Sequence, residues 1–229
     1  EVPPVEPQAR FKKDMEEVLM DKNSEGPEEL YDMYRGVTRL GDEEKIKNSR
    51  LRYDITVIKP GFIGQEFIKT AGHYHLEKPG TGITYPEVYE VINGTAHYLL
   101  QELVPGEKEV RQVIILEAKA GDRVLIPPNF GHITINPGKD YLVMANWVAE
   151  EFASDYEPIK VKGGGAYFEV EDPGEETELV PNNKYNPLPP LTSWKPVEMP
   201  ELNLRKDKSF YQTFLDNPAG FKYLAEPEK

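Results

Sequence analysis

Residues 51–149 break into short runs of β-branched and aromatic side chains punctuated by glycine, proline and asparagine. Runs this short and alternating read as strands, not as helices long enough to bury a face. Strands are expected over 52–59, 65–70, 87–92, 95–102, 109–116, 123–126, 132–136 and 141–148. The separators are Pro60-Gly61, Asn93-Gly94, Pro105-Gly106, Gly121-Asp122 and Pro137-Gly138. Asn-Gly between two such runs is the strongest short-range hairpin signal. Many short strands with closely spaced turns predict a mainly all-β fold, an antiparallel β-barrel or jelly roll.

The ends read differently. Phe11, Met15, Val18 and Leu19 fall at helical spacing, which predicts a short amphipathic helix over 10–20. Alternation with tyrosines favours a strand over 30–37. Edge strands are expected over 156–162, 167–171 and 177–180, then a Pro-rich connector over 182–200. Phe210 with Phe214 and Tyr211 with Leu215 predict one or two short helices near the C-terminal end. The expected organisation is an N-terminal arm (1–50) packing on the core, a barrel (51–180) and an extension with short helices (181–229).

Composition narrows the partners. The 27 basic against 40 acidic residues leave a net charge of −13, the wrong sign for nucleic acid or an anionic membrane. The chain has no cysteine, which excludes disulfides, thiolate metal sites and a thiol nucleophile. No apolar run approaches the ~20 residues of a membrane-spanning helix. No secretory pattern opens the sequence, so the expectation is a soluble cytoplasmic protein.

There are four histidines: His73, His75, His97 and His132. His73 and His75 are two apart, so in a strand they share a face and could reach one metal ion. Glu87 opens the next strand, and Gly94 follows it. Further on, Gly121, Pro127-Pro128, Gly131-His132 and Asn136 recur at fixed spacing. Together these resemble the two motifs of the cupin family. Two departures stand out. Eleven residues separate His75 from Glu87 where the motif has three or four, which implies an inserted loop at the barrel mouth (76–86). Asn129 stands where a glycine is usual, and asparagine tolerates the same turn backbone.

The resemblance implies His73, His75, Glu87 and His132 as ligands of one divalent metal ion per subunit. Three imidazoles and a carboxylate suit Fe²⁺, Mn²⁺, Ni²⁺, Co²⁺ or Zn²⁺ and leave positions open for substrate. His97 is read as lying outside the set. A two-residue Asn93-Gly94 turn pairs Ile92 with Thr95 and Tyr89 with Tyr98, putting His97 on the face opposite Glu87. A three-residue loop would reverse this parity.

A narrower resemblance follows. Thr70-Ala71-Gly72-His73-Tyr74-His75, Glu87-Val88-Tyr89, Leu99-Leu100-Gln101 and Val124-Leu125-Ile126-Pro127-Pro128 resemble the cupin-type glucose-6-phosphate isomerases of archaea and some bacteria. The likeness covers about residues 30–185. It implies a cupin fold with iron as the expected metal and a sugar phosphate as substrate. Thr56, Thr70, the backbone at Gly72 and Tyr89 would hold the phosphate, and Tyr156 would lie beside it. Hydroxyls and backbone N–H groups can bind phosphate without a cationic cluster. Glu87 is the expected catalytic base, moving a proton between C2 and C1 through an enediol. A hydride shift between the same carbons is the competing route. A homodimer is expected, with the N-terminal arm across the interface. The alternatives are an Fe-dependent cupin oxygenase, a non-catalytic sugar-binding cupin, and a metal-independent epimerase.

Overall fold

The computed structural model describes residues 4–104, 106–107, 109–172 and 177–228. Strands β1 (Gln8–Phe11) and β2 (Glu29–Tyr34) flank two 3-10 turns, Lys12–Asp14 and Glu16–Val18. Helix α1 (Glu43–Ser49) leads into β3 (Leu51–Ile58), β4 (Phe62–Ile63), β5 (Glu66–Phe67) and β6 (Tyr74–His75). The central strands are β7 (Glu87–Asn93), β8 (Thr95–Glu102), β9 (Val113–Lys119), β10 (Arg123–Ile126), β11 (Phe130–Ile135) and β12 (Leu142–Ala149). Then come β13 (Ser154–Asp155), α2 (Glu157–Val161), β14 (Tyr167–Glu171), β15 (Thr177–Pro181) and β16 (Leu191–Trp194). Helix α3 (Phe210–Asp216) and the 3-10 segment Pro218–Leu224 follow.

A six-stranded sheet, β1-β2-β3-β12-β7-β10, and a four-stranded sheet, β11-β8-β9-β16, form the barrel. All their pairings are antiparallel except β16 on β9. Period-2 alternation gives β7 two roles. Glu87, Tyr89 and Val91 point inward, where Val91 and Tyr89 join a core with Tyr98, Leu100, Ile114 and Ile133. Val88 points outward into a second apolar cluster with Tyr53, Ala145 and Trp147. That outer face is covered by the C-terminal segment: Trp147 stacks on Phe214 at 4.0 Å between ring centroids. Each large side chain fully buried here contributes roughly 1.5–3 kcal/mol. Burial on both faces explains why β12 reads as an almost continuous apolar run.

The structure departs from the sequence reading in several places. The strand expected over 109–116 runs instead over Val113–Lys119, and that expected over 65–70 is only Glu66–Phe67. Residues 10–20 are not one helix: Phe11 pairs with Glu29 as part of β1, and the chain then takes two 3-10 turns. Met15, Val18 and Leu19 are nonetheless buried, so the apolar spacing marked burial without marking the helix type. The edge strand expected over 156–162 is α2, with Pro158 in its first turn, where the lost N–H has no helical partner to miss. The connector contains β16. Asn93-Gly94 joins β7 to β8 but is not a hairpin, because the two strands lie in different sheets. Of the Pro105-Gly106 separator, Pro105 lies outside the described residues. Among the described residues no helix is long and apolar enough to cross a membrane.

Candidate metal centre

His73 and His132 are brought together by a single antiparallel bridge. His73 N–H donates to the His132 carbonyl at 3.2 Å, and His132 N–H donates to the His73 carbonyl at 3.0 Å. Two residues on, His75 in β6 shares the face of His73, with ring centroids 5.2 Å apart. Tyr74 between them points away, and its hydroxyl accepts from Gln101 Nε2 at 2.9 Å. Gly72 before them has φ +73°, and a Cβ there would lie 2.3 Å from Ile133 Cγ1. Only glycine fits that approach. Glu87 enters from the facing sheet.

The four side chains meet: one ligand atom from each of His73, His75, Glu87 and His132 lies within 4.8 Å of the others. His75 Nε2 and His132 Nε2 stand 3.2 and 3.4 Å from the same carboxylate oxygen, Glu87 Oε2. His75 Nδ1–H donates to the Tyr85 carbonyl at 2.7 Å, which fixes the tautomer and turns the Nε2 lone pair toward Glu87. His73 Nε2, His75 Nε2, Glu87 Oε2 and His132 Nδ1 are all buried without a hydrogen-bond partner. Buried polar atoms are normally satisfied. The His75 Nε2 lone pair facing the Glu87 oxygen is satisfied by a cation between them, so the donor set fits a divalent metal ion. In His132 the unpartnered atom is Nδ1, and Nε2 is the nitrogen near Glu87. Burial, reinforced by the other imidazoles, lowers the pKa of His73. Burial is also the main cause that brings His132 down to about 4, against the pull of Glu87. Burial alone would raise Glu87, but His75, His132 and Tyr89 together hold it below the usual carboxylate range.

His73, Glu87 and His132 line a cavity; His75 does not. Thr56, Thr70, Gly72, Tyr89 and Tyr156 all line the same cavity. The Tyr89 hydroxyl lies 3.1 Å from His132 Nε2. Thr70 Oγ1 accepts from Thr134 N–H at 3.0 Å and keeps its own hydrogen to donate. Four polar lining residues were not read from the sequence: Tyr31, Arg35, Asp54 and Asn146. Asp54 had a signal, since it lies two residues from Thr56 and therefore on the same face of β3. Arg35 had none; its place comes from folding just beyond β2. Its Nη1 bonds Asp54 at 3.3 Å, and Arg52 Nη2 bonds the same carboxylate at 2.9 Å. Asp54 is thus shared by two guanidinium groups, of which Arg35 lines the cavity.

His97 lies elsewhere, its Nδ1 2.6 Å from Glu169 Oε1 and its Nε2 3.5 Å from Glu117 Oε2. It is outside the cluster, although the hairpin parity that predicted this does not exist. Tyr89 and Tyr98 do meet, at 5.5 Å between centroids, but across the barrel interior.

The sequence profile of the glucose-6-phosphate isomerase (GPI) family matches residues 10–188. The chain belongs to the glucose-6-phosphate isomerase family. It is similar to the glucose-6-phosphate isomerase of Thermococcus litoralis, 34% identical over 149 residues, which span 65% of this chain and 69% of that one. It is also similar to that of Pyrococcus furiosus, 28% identical over 143 residues, 62% of this chain and 69% of the relative. Among solved structures, hazelnut (Corylus avellana) vicilin aligns over 57% of this chain and 33% of its own, with 11% identity and a TM-score of 0.40.

Proposed function

We propose that this member of the family interconverts glucose 6-phosphate and fructose 6-phosphate at the cavity floored by His73, Glu87 and His132. The carrying observation is the meeting of a complete His₃Glu donor set with a wall of hydroxyls and one guanidinium. An oxygenase site would favour an apolar wall; Thr56, Thr70, Tyr89, Tyr156 and Arg35 make this one suited to a phosphorylated polyol.

The four ligands would hold one divalent ion, Fe²⁺ in our reading, which supplies Lewis acidity toward the oxygens at C1 and C2. Thr56, Thr70, the Gly72 backbone and Tyr89 orient the phosphate, and Arg35 adds the charge that the sequence reading had left out. Tyr156 closes one side of the sugar. Glu87 carries the proton from one carbon to the other. A direct hydride shift is the second reading. It is favoured by the two imidazoles facing one Glu87 oxygen and by its depressed proton affinity. The free space is only about 50 Å³, against roughly 300 Å³ or more for a small-molecule pocket. Substrate binding therefore requires side chains of the wall to swing outward. We also propose a cytoplasmic homodimer. Here β1 and β2 pair within their own sheet, so an interface using the arm would involve its outer edge.

A coupled assay on fructose 6-phosphate tests the activity. Turnover should vanish with chelator and return with added metal. Activity that survives complete metal removal would refute the metal-dependent reading.

A further inference from the structure

The family match ends at residue 188, yet the chain continues into a docked segment that covers the outer face of the six-stranded sheet. A departure from the cupin motif is the long loop 76–86 between His75 and Glu87. The segment and this loop touch each other. Lys78 Nζ donates to the Ala225 carbonyl at 3.0 Å and to both carboxylate oxygens of Glu228, at 2.7 and 2.9 Å. At the far end of the loop, Tyr85 is buried in the same apolar cluster as Phe221, Leu224 and Ala225. Between these anchors the loop is tied to itself and to the barrel. Lys78 N–H donates to the Ile83 carbonyl at 2.9 Å, and Thr84 Oγ1 accepts from Asn129 N–H at 2.6 Å. The Tyr85 carbonyl is the acceptor that orients His75.

We propose that the C-terminal segment braces the metal centre, holding loop 76–86 through Lys78 and Tyr85 so that the Tyr85 carbonyl keeps His75 Nε2 aimed at Glu87. This rests on the reading of the four side chains as a metal site. Loop 76–86 carries Gly80 and Gly82, both at positive φ, and its backbone would otherwise sample many conformations. Each of those would move the carbonyl and release the His75 ring. Lys78 is a positioning residue. The surface ion pair to Glu228 alone contributes little; the effect arises from where the loop is held.

The test uses the full chain stripped of metal and titrated calorimetrically with Mn²⁺ alone at fixed pH. Losing a direct outer-sphere partner of a metal-bound histidine costs about 10–100-fold in affinity. Lys78 acts one step further out, so Lys78→Met should weaken Mn²⁺ binding by about three- to tenfold, with thermal stability of the metal-free protein unchanged. Lys78→Arg, which keeps a cationic donor, should restore affinity to near wild type. Lys45→Met removes the 2.9 Å bond from Lys45 to the Leu215 carbonyl, a contact of the same segment that does not involve the loop. It should leave Mn²⁺ binding unchanged. Unchanged affinity in Lys78→Met, failure of Lys78→Arg to restore it, or equal weakening by Lys45→Met would each overturn the brace. A wild-type protein that takes up no Mn²⁺ would sink the metal reading itself, and the brace with it.

Discussion

His73 and His132 exchange both backbone hydrogen bonds across one bridge, although they lie 59 residues apart in sequence (132 − 73). The bridge sets their rings 4.6 Å apart. The protein therefore carries much of the cost of assembling the site in its fold, and single ligand losses should act locally. His73→Ala and His132→Ala should each lower metal affinity by more than the about 10–100-fold lost with an outer-sphere partner. His97→Ala should leave metal content unchanged. Metal analysis of dialysed protein checks both, and an emptied site in His97→Ala would contradict the placement of that side chain.

The two kinds of histidine predict opposite pH slopes for the metal-free protein. His132 has a folded pKa of about 4, below its usual 6.5, because it is buried. The unfolded chain therefore binds that proton first, and stability is lost as pH falls from 6.5 to 4. At about 1.4 kcal/mol per unit, the loss from His132 is ~3 kcal/mol, and His73 acts in the same direction. For His97, burial lowers the pKa, but Glu169 and Glu117 outweigh it and leave it raised. Its contribution is present below pH 6.5 and disappears as pH rises through the folded value. Melting temperatures across pH 4–8 should fall on the acid side in wild type. They should flatten there in His132→Gln, and drop further at acid pH in His97→Gln.

Arg35 should bind the phosphate. Arg35→Met removes a charged donor worth about 1.5–3 kcal/mol, so KM for fructose 6-phosphate should rise roughly ten- to hundredfold with metal content unchanged. Asp54 remains paired with Arg52, so the fold should persist. Arg35→Lys should recover little, since a lysine lacks the planar fork. A KM within twofold of wild type in Arg35→Met would remove Arg35 from the phosphate site.

The part of the site written as local pattern was legible. His73 and His75 share a face because side chains alternate in a strand, and Asp54 with Thr56 obeys the same rule. The strand limits of β8 and β14 were read to the residue for the same reason. What failed was the choice of partner. Asn93-Gly94 suits a hairpin and a corner between sheets alike. The outcome was decided by β12, which pairs with β7 from some fifty residues away. Arg35 was invisible because its role depends on β2 pairing with β3, and no spacing near it marks that. The 10–20 segment shows the same override: apolar spacing put Met15 and Val18 inside, while pairing of β1 with β2 replaced the helix.

Glu87 is the residue on which the mechanism turns. Its carboxylate faces two imidazoles at 3.2 and 3.4 Å, a geometry suited to holding a cation. It also lines the substrate cavity, as a proton carrier must. Glu87→Gln keeps an oxygen ligand but removes the base. If Glu87 carries the proton, turnover should fall by about 10²–10⁴-fold, with metal still bound. The isotope experiment is independent of that variant. A proton held on Glu87 between C2 and C1 has time to exchange, so wild-type product formed in deuterated water should contain solvent deuterium at the receiving carbon. A hydride shift moves the hydrogen without releasing it, and the product would contain none. Zero incorporation in the wild type, together with an active Glu87→Gln variant, would leave Glu87 as a metal ligand alone and establish the hydride route.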